Sequence, residues 1–419
     1  MRYRNTLLRW ALFACVPLAF AACTNEEPTV DAAPQAAPGT KATYIVTFKE
    51  SALPEELPGE LPKALGERSE TSLRKAANDS RRQRYTEFFS GVVSERVRTK
   101  GAISFKHVYS NALGGFAAEL SAEEAQALAA DARVASVELD QEVFLEEVKV
   151  EAYVSAAAAK AAAADNIPYG ITKVGGAVNY TGNAWAWIID SGIDLDHPDL
   201  RVGTSYARTF ATGTSNADDA NGHGTHVAGT VAARSNGTGV VGVAAGAVVV
   251  PVRVFGANGS SSNSIIIAGI DYVRAEAYAG DVANLSLGGP ASTTTDNAVK
   301  NLAAAGVHVA VAAGNEAQNA NNVSPARANA TRLYTVSAHD SGDNFARSFS
   351  NYGNPPIDWC APGVSVYSTY KNGGYATLSG TSMATPHVCG ILLVNNGVVY
   401  SRGNVKQDRD STPDKMARR

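Results

Sequence analysis

Apolar residues in this chain fall into short runs that end at glycine-flanked turns. The clearest cover residues 184–189, 247–254, 282–287 and 307–312. Continuous runs of this length, rich in Val, Ile and Ala, predict strands buried on both faces. Between them, residues 224–233, 264–277 and 296–305 repeat their apolar positions at helical spacing. Strand alternating with helix predicts an α/β domain, a parallel sheet with helices on both faces. It begins near Ile167 and is assigned residues 166–400.

Residues 43–143 have a different pattern. Residues 44–48 read as a strand, and residues 80–97 place Tyr85, Phe88, Phe89, Val92 and Val93 on one side of a helix. Strands follow at 103–109 and 115–120. Ser121-Ala122-Glu123-Glu124 is a capping box that opens a helix through Ala130, and residues 134–139 form the last strand. The order βαββαβ predicts a small α+β, ferredoxin-like domain. Residues 144–165 read as a linker with an alanine run at 156–164. That run admits two readings: a frayed helical spacer, or a junction cut in an extended form. Residues 401–419 read as a tail with a basic end, either leaving the sheet less covered or disordered in its last turns.

Composition narrows the class. A chain of 419 residues with 45% hydrophobic content can bury a sizeable core, and a net charge of −4 without a long basic run argues against nucleic acid as a partner. Arg2, Arg4 and Arg9 precede an apolar stretch at 11–22, too short to span a bilayer comfortably, so residues 1–23 predict a secretory leader. Small residues before Cys23 resemble a bacterial lipoprotein signal. Lipidation at Cys23 and ordinary cleavage nearby are both open, and either carries the mature chain out of the cytoplasm. Residues 24–42, rich in Pro, Ala and Glu, read as a tether. Only Cys360 and Cys389 remain in the body. Two buried free thiols are the favoured reading and a disulfide the alternative, because spacing does not fix their separation.

Four turns carry candidate chemistry. Asp190 ends a buried strand, where the active sites of such sheets lie. His223 stands between glycines at a helix start in Asn221-Gly222-His223-Gly224-Thr225-His226. His226 reads as structural, since no third metal ligand accompanies the pair. Asn315 ends another strand and can donate to a developing oxyanion. Ser382, in Gly380-Thr381-Ser382-Met383, opens a helix whose N-terminus favours negative charge. Each alone reads equally as a cap or a turn. Neither a phosphate-binding G-x-x-x-x-G-K-[ST] loop nor a persuasive dinucleotide fingerprint is present.

Taken together, Asp-Ser-Gly-Ile-Asp, His-Gly-Thr-His-Val-Ala-Gly-Thr, Asn-Leu-Ser-Leu-Gly-Gly and Gly-Thr-Ser-Met-Ala-Thr-Pro-His-Val resemble the subtilisin-like serine proteases, most of all their proteinase K-like branch. The 43–143 unit resembles their inhibitor-type propeptides. The resemblance implies a secreted, monomeric, self-processing serine endopeptidase that hydrolyses polypeptides, with no catalytic cofactor and with its own propeptide as inhibitor. Ser382 would be the nucleophile, His223 the base, Asp190 its orienting acid and Asn315 an oxyanion donor. Ser286, Leu287 and Gly288 would pair with the substrate backbone. With Ala313 and Gly314 they would wall a pocket for a large apolar residue before the cut. The spacing likens Asp358 to a calcium ligand, partnered by the carbonyls of Thr331 and Leu333; a loop surface charge is the other reading. Aligning Pro168-Tyr169-Gly170 with the family's start places maturation near Ala161. A non-catalytic peptide-binding module on the same scaffold is the alternative function.

Overall fold

The computed structural model describes residues 40–55, 71–97, 103–145, 150–161 and 164–419. The leader, most of the tether and Cys23 lie outside them. Among the described residues no helix is long and apolar enough to cross a membrane.

The N-terminal unit runs β1 (Ala42–Phe48), α1 (Thr71–Arg96), β2 (Phe105–Tyr109), β3 (Gly115–Leu120), α2 (Ala122–Ala129) and β4 (Val134–Leu139). Its antiparallel sheet has the order β2-β3-β1-β4, which is the expected βαββαβ arrangement. Tyr85, Phe89, Val92 and Val93 of α1 are buried, and Phe89 stacks on Phe48 with ring centroids 4.7 Å apart. The capping box forms in both directions: Ser121 N–H donates to Glu124 Oε2 at 2.8 Å, and Glu124 N–H to Ser121 Oγ at 3.2 Å.

Helix α1 extends well before residue 80, being helical from Thr71, the first described residue of this stretch. Its first turns have no apolar stripe and rest on the larger unit instead. Arg74 Nη1 donates to Glu276 O at 2.8 Å and its guanidinium lies 3.9 Å from the centre of the Tyr278 ring. A cation at the C-terminal end of a helix is favoured by that helix's dipole.

Two segments at and beyond residue 143, where sequence patterning begins a linker, are ordered. β5 (Glu142–Phe144) leaves the first sheet, while β6 (Ala152–Val154) and α3 (Ala156–Ala161) lie against the larger unit. Helix α3 is not a frayed spacer, because Ala159 is buried in the larger unit's core.

The larger unit continues with α4 (Tyr169–Lys173), β7 (Ala186–Asp190), α5 (His223–Ala232), β8 (Val248–Arg253), β9 (Ser260–Ser262), α6 (Asn263–Glu276), β10 (Val282–Leu285), α7 (Thr293–Ala304), β11 (His308–Ala312), β12 (Leu333–His339), β13 (Ile357–Pro362), β14 (Val366–Tyr370), β15 (Gly374–Leu378), α8 (Thr381–Val394), β16 (Tyr400–Asn404) and β17 (Lys415–Arg418). Strands β8-β7-β10-β11-β12-β13 form a parallel core. Alternate side chains serve opposite faces, as strand geometry requires. Ile188, Val249 and Ala310 join α5 and α8 in one core. Trp187, Ile189, Val250 and Val309 join α6 and α7 in the other.

Residues 401–419 are not a tail. β17 pairs with β13 in parallel at Cys360↔Met416, and β16 pairs antiparallel with β17. Met416, Val405, Phe345 and Cys360 form a small core that holds this edge. Cys389 sits in the separate core around α5 and α8. Both thiols are free and buried. Burial pushes each of them up, so they pack as small apolar groups.

Candidate active site

Two strand ends and two helix starts supply the candidate residues. β7 delivers Asp190 at its carboxyl end, and α5 begins at His223. Gly224 lets that helix approach closely, since a Cβ there would collide with Gly192 O and press on Asp190 Cβ at 3.1 Å. His223 Nδ1 and Asp190 Oδ1 lie 2.7 Å apart, both residues buried. Ser191 N–H also donates to Asp190 Oδ1, at 2.7 Å. A carboxylate in this position fixes the ring and favours its cationic form.

Patterning missed the residue that shapes this turn. Asp219 is buried and accepts from Ser191 Oγ, from the N–H groups of Asn221, Gly222 and Thr225, and from Thr225 Oγ1. Burial raises its carboxyl, and these donors oppose the shift. In Asp218-Asp219-Ala220-Asn221-Gly222 either aspartate reads as an ordinary turn cap, and only burial distinguishes Asp219. His226 is structural, as expected. Its Nε2 lies 3.0 Å from Val366 O and 3.1 Å from Ala376 O, holding β14 and β15 against α5, and burial lowers it to about 3.

Ser382 is the second residue of α8, so its N–H is one of the groups that a helix start leaves unpaired. Pro386 follows inside the helix. It lacks the N–H that would bond the carbonyl four residues back, which is that of Ser382. Ser286 Oγ replaces it, donating to Ser382 O at 2.8 Å, and Asn284 Nδ2 donates to Ser286 Oγ at 2.9 Å. The Ser382 hydroxyl donates to Ser286 O at 3.2 Å. Ser286→Ala should leave the Ser382 carbonyl without a donor, destabilising the protein by about 1–3 kcal/mol. It should also lower kcat, because the first turn of α8 loses its tether. Denaturant unfolding and steady-state kinetics check this, and unchanged stability would refute the tether.

Asn315 is fixed by its carbonyl oxygen. Its Oδ1 accepts from Thr381 N–H at 2.7 Å and Thr381 Oγ1 at 2.8 Å. The amide nitrogen therefore faces the Gly380–Ser382 turn, where a Cβ on Gly380 would stand 3.3 Å from it. Gly314 N–H donates to Thr381 Oγ1 at 3.2 Å, and Asn351 Nδ2 donates to Ala313 O at 2.9 Å. Asn351 also donates to Glu316 at 2.6 Å, which ties that carboxylate to the loop.

The cleft beside these groups holds a strand of the chain itself. β5 pairs antiparallel with β9, through Phe144↔Ser260, Val143↔Ser261 and Glu142↔Ser262. Val143 lies on its other side against Gly289, whose Cβ would be 3.0 Å from Val143 Cγ2. Gly289 thus stands on one side of β5, and Ser260–Ser262 stands on the other. Three serines after Asn-Gly read as a loop, and they become a strand only when a partner backbone lies beside them.

The N-terminal unit docks by placing carboxylates at helix starts. Asp140 accepts from Ser264 N–H and Oγ at 2.8 and 2.6 Å, at the start of α6. Glu138 accepts from Thr294 N–H and Ser292 Oγ, both at 3.1 Å, at the start of α7. Helix dipoles favour both contacts.

Asp358 is half-buried, and burial raises its carboxyl to about 6. Thr335 N–H donates to it at 2.8 Å. Leu333 begins β12 just upstream, with Thr331 in the preceding turn. Among the described residues no three His, Cys, Asp or Glu side chains cluster to hold a metal, so an ion here would rest on one carboxylate and backbone carbonyls.

Comparison with known proteins follows this geometry. The Subtilase family model matches residues 187–400, and the Peptidase inhibitor I9 model matches residues 43–146. An extracellular serine proteinase of Thermus sp. (strain Rt41A) is 40% identical over 90% of this chain and 85% of that protein. Alkaline serine exoprotease A of Vibrio alginolyticus is 39% identical, over 69% of this chain and 53% of its own length. Subtilisin DY of Bacillus licheniformis is 42% identical over 59% of this chain and 92% of its own. Among solved structures, a cold adapted subtilisin-like serine proteinase has a TM-score of 0.52 at 35% identity, covering 60% of this chain and 98% of its own.

Proposed function

This chain belongs to the subtilase family, and from that premise we propose how its own residues divide the work. It is a serine endopeptidase with an I9-type propeptide. The observation that carries the assignment of roles is the Asp190–His223 pair at 2.7 Å, with Ser382 standing at the start of α8. Substrate lies as a strand between β9 and residues 286–289, where β5 lies now. Ser382 Oγ turns from Ser286 O toward His223 Nε2, gives up its proton and attacks the scissile carbonyl. Asp190 holds the ring and stabilises its cation. Asn315 Nδ2 and Ser382 N–H receive the oxyanion. His223 then hands the proton to the leaving amine, and water releases the acyl group by the reverse path.

Titration with a serine-directed phosphonate tests these roles, with one equivalent expected on Ser382. An unlabelled, well-folded protein would favour the peptide-binding module instead. Ala313, Gly314 and residues 287–289 supply small apolar walls without a charge, so the residue before the cut is a large apolar one. Strict cleavage after Arg or Lys would contradict that.

The basic start and apolar stretch of residues 1–23 make a secretory leader, in keeping with a relative named as extracellular. Cys23 is the residue a lipid would take, and the enzyme acts as a monomer. Asp358 suits calcium: it is a half-buried carboxylate that burial disfavours as an anion, and hard oxygen donors bind that ion. With the carbonyls of Thr331 and Leu333 it would hold a structural ion that adds rigidity between β12 and β13. An ion present at about a hundred times its Kd stabilises by about 2.7 kcal/mol. Excess chelator should therefore shorten the thermal half-life of the wild type and leave Asp358→Asn nearly unaffected. A wild-type half-life indifferent to chelator would remove calcium from this site.

A further inference from the structure

Beside β5 lies a cavity of about 750 Å³, bounded by residues 212–216, the turn at 256–258 and the strand Ser260–Ser262. Most of the side chains that line it carry hydroxyls or amides. Two of the described lining residues are charged, Arg253 and Glu142. Glu142 belongs to β5, where it pairs with Ser262. Without β5, the charge left in the lining is that of Arg253.

Arg253 ends β8, and only 5% of it is exposed. Arginine is rarely buried to this extent without a carboxylate partner. Its Nε donates to Phe255 O at 3.1 Å and its Nη1 to Asp218 O at 2.6 Å, both uncharged main-chain oxygens. Among the described residues it forms no ion pair, and its Nη2 makes no hydrogen bond. A buried cation is costly unless an anion compensates it. The neighbouring amides have the same bias. Asn216 Oδ1 accepts from Asp218 N–H at 3.2 Å. Asn258 Oδ1 accepts from Ser260 N–H at 3.1 Å and from Ser260 Oγ at 2.7 Å. Their acceptor oxygens are engaged, which leaves their amide nitrogens to donate. A cavity with engaged acceptors, open donors and a positive charge selects an anion.

Strand geometry decides which anion reaches it. Side chains alternate along β5. Val143 is buried and faces Gly289, so Glu142 before it turns the other way and lines the cavity. A polypeptide in β5's place puts one of its own residues opposite Ser262. We propose that this cavity is a subsite for an acidic side chain of the substrate, at the position opposite Ser262, with Arg253 as the residue that sets the preference. The inference rests on the reading that substrate replaces β5. The substrate carboxylate draws on the donors of Arg253, Asn216 and Asn258, and the residue after it packs at Gly289 as Val143 does. The enzyme thus favours polypeptides in which Asp or Glu directly precedes an apolar residue, upstream of the cut.

The test is digestion of a denatured protein mixture by the mature enzyme, with the cut sites aligned. The expected profile has an acidic position directly before an apolar one. In a matched pair of peptides with Glu or Gln at the acidic position, Glu should raise kcat/KM about tenfold at low ionic strength and less in high salt. Arg253→Gln should bring the two peptides level. Arg253 also holds Asp218 O, so Asn216→Asp is the second variant. It keeps an acceptor for Asp218 N–H, and its carboxylate should make the Glu peptide the poorer one. A wild type that cuts both peptides equally, with the apolar position intact, would overturn the subsite and leave the placement of substrate standing. A preference for Glu that either folded variant leaves unchanged would overturn it too. A profile with neither position would overturn the placement of substrate in β5's slot, and this inference with it.

Discussion

Replacing Ser382 or His223 with alanine is expected to lower kcat by about six orders of magnitude, and Asp190→Ala by about four, the losses known for subtilisin's triad. The asymmetry has a structural cause. Ser382 and His223 make and break the bonds to the proton, whereas Asp190 acts through the ring it holds at 2.7 Å. Without Asp190, Ser191 N–H loses the acceptor that completes the turn. His223 then keeps its basic nitrogen but not its orientation. The losses should not add: the double variant Ser382→Ala/His223→Ala should be no slower than either single one, because the groups act as one unit. The same substitution predicts an uncleaved precursor when Ser382→Ala is produced alone. Active-site-titrated kinetics on a peptide substrate and the mass of the secreted chain check both statements. Ordinary activity in Ser382→Ala, or its efficient processing without added protease, would be incompatible with this mechanism.

Asn315→Ala should lower kcat by about 10² to 10³, with KM little changed, as loss of this kind of donor does in subtilisin. The geometry explains why the loss should fall on kcat. Asn315 Oδ1 is already occupied by Thr381 N–H and Oγ1, so the amide cannot flip, and its nitrogen is held toward the turn at Gly380. A donor fixed in advance acts where negative charge develops, on the tetrahedral oxygen, more than on the resting carbonyl. Asn315→Asp is the sharper probe: it retains an acceptor for Thr381 but places negative charge where the oxyanion forms. Its kcat should be no higher than that of Asn315→Ala. A variant that changed only KM would move Asn315 from transition-state stabilisation to substrate binding.

The sequence made the fold and the candidate reacting groups legible for one physical reason. Asp190, His223, Asn315 and Ser382 each stand in or beside a glycine-flanked turn, two of them, Asp190 and Asn315, after an apolar strand of the parallel sheet, which gathers such turns at one edge. The supporting residues were not legible, because their roles depend on burial or on a partner from far along the chain. Asp219 looks like any turn aspartate until the structure shows its five donors. Ser286 stood out for its backbone, yet its hydroxyl fills a gap left by Pro386, a hundred residues away. Ser260–Ser262 has no apolar pattern because it is a strand only beside another backbone. The basic ending of residues 415–418 hid a strand in which Met416 and Ala417 are buried. The alanine run of α3 suggested weak helix by propensity, whereas the methyl group of Ala159 is buried in the core.

If substrate takes the place of β5, the slot between β9 and residues 286–289 would also decide which proteins are vulnerable. A backbone enters it as β5 does, extended and with its edges bare to both walls. Residues inside a folded helix or sheet have already committed those groups elsewhere. A native protein must therefore open locally before it can be cut. Where that opening is fast, its digestion rate reports the free energy of opening rather than the chemistry of the side chains. Unfolded chains meet no such barrier. The enzyme's own longevity follows the same rule: its lifetime among its copies is set by how rarely its least stable segment unravels far enough to fill a neighbour's slot.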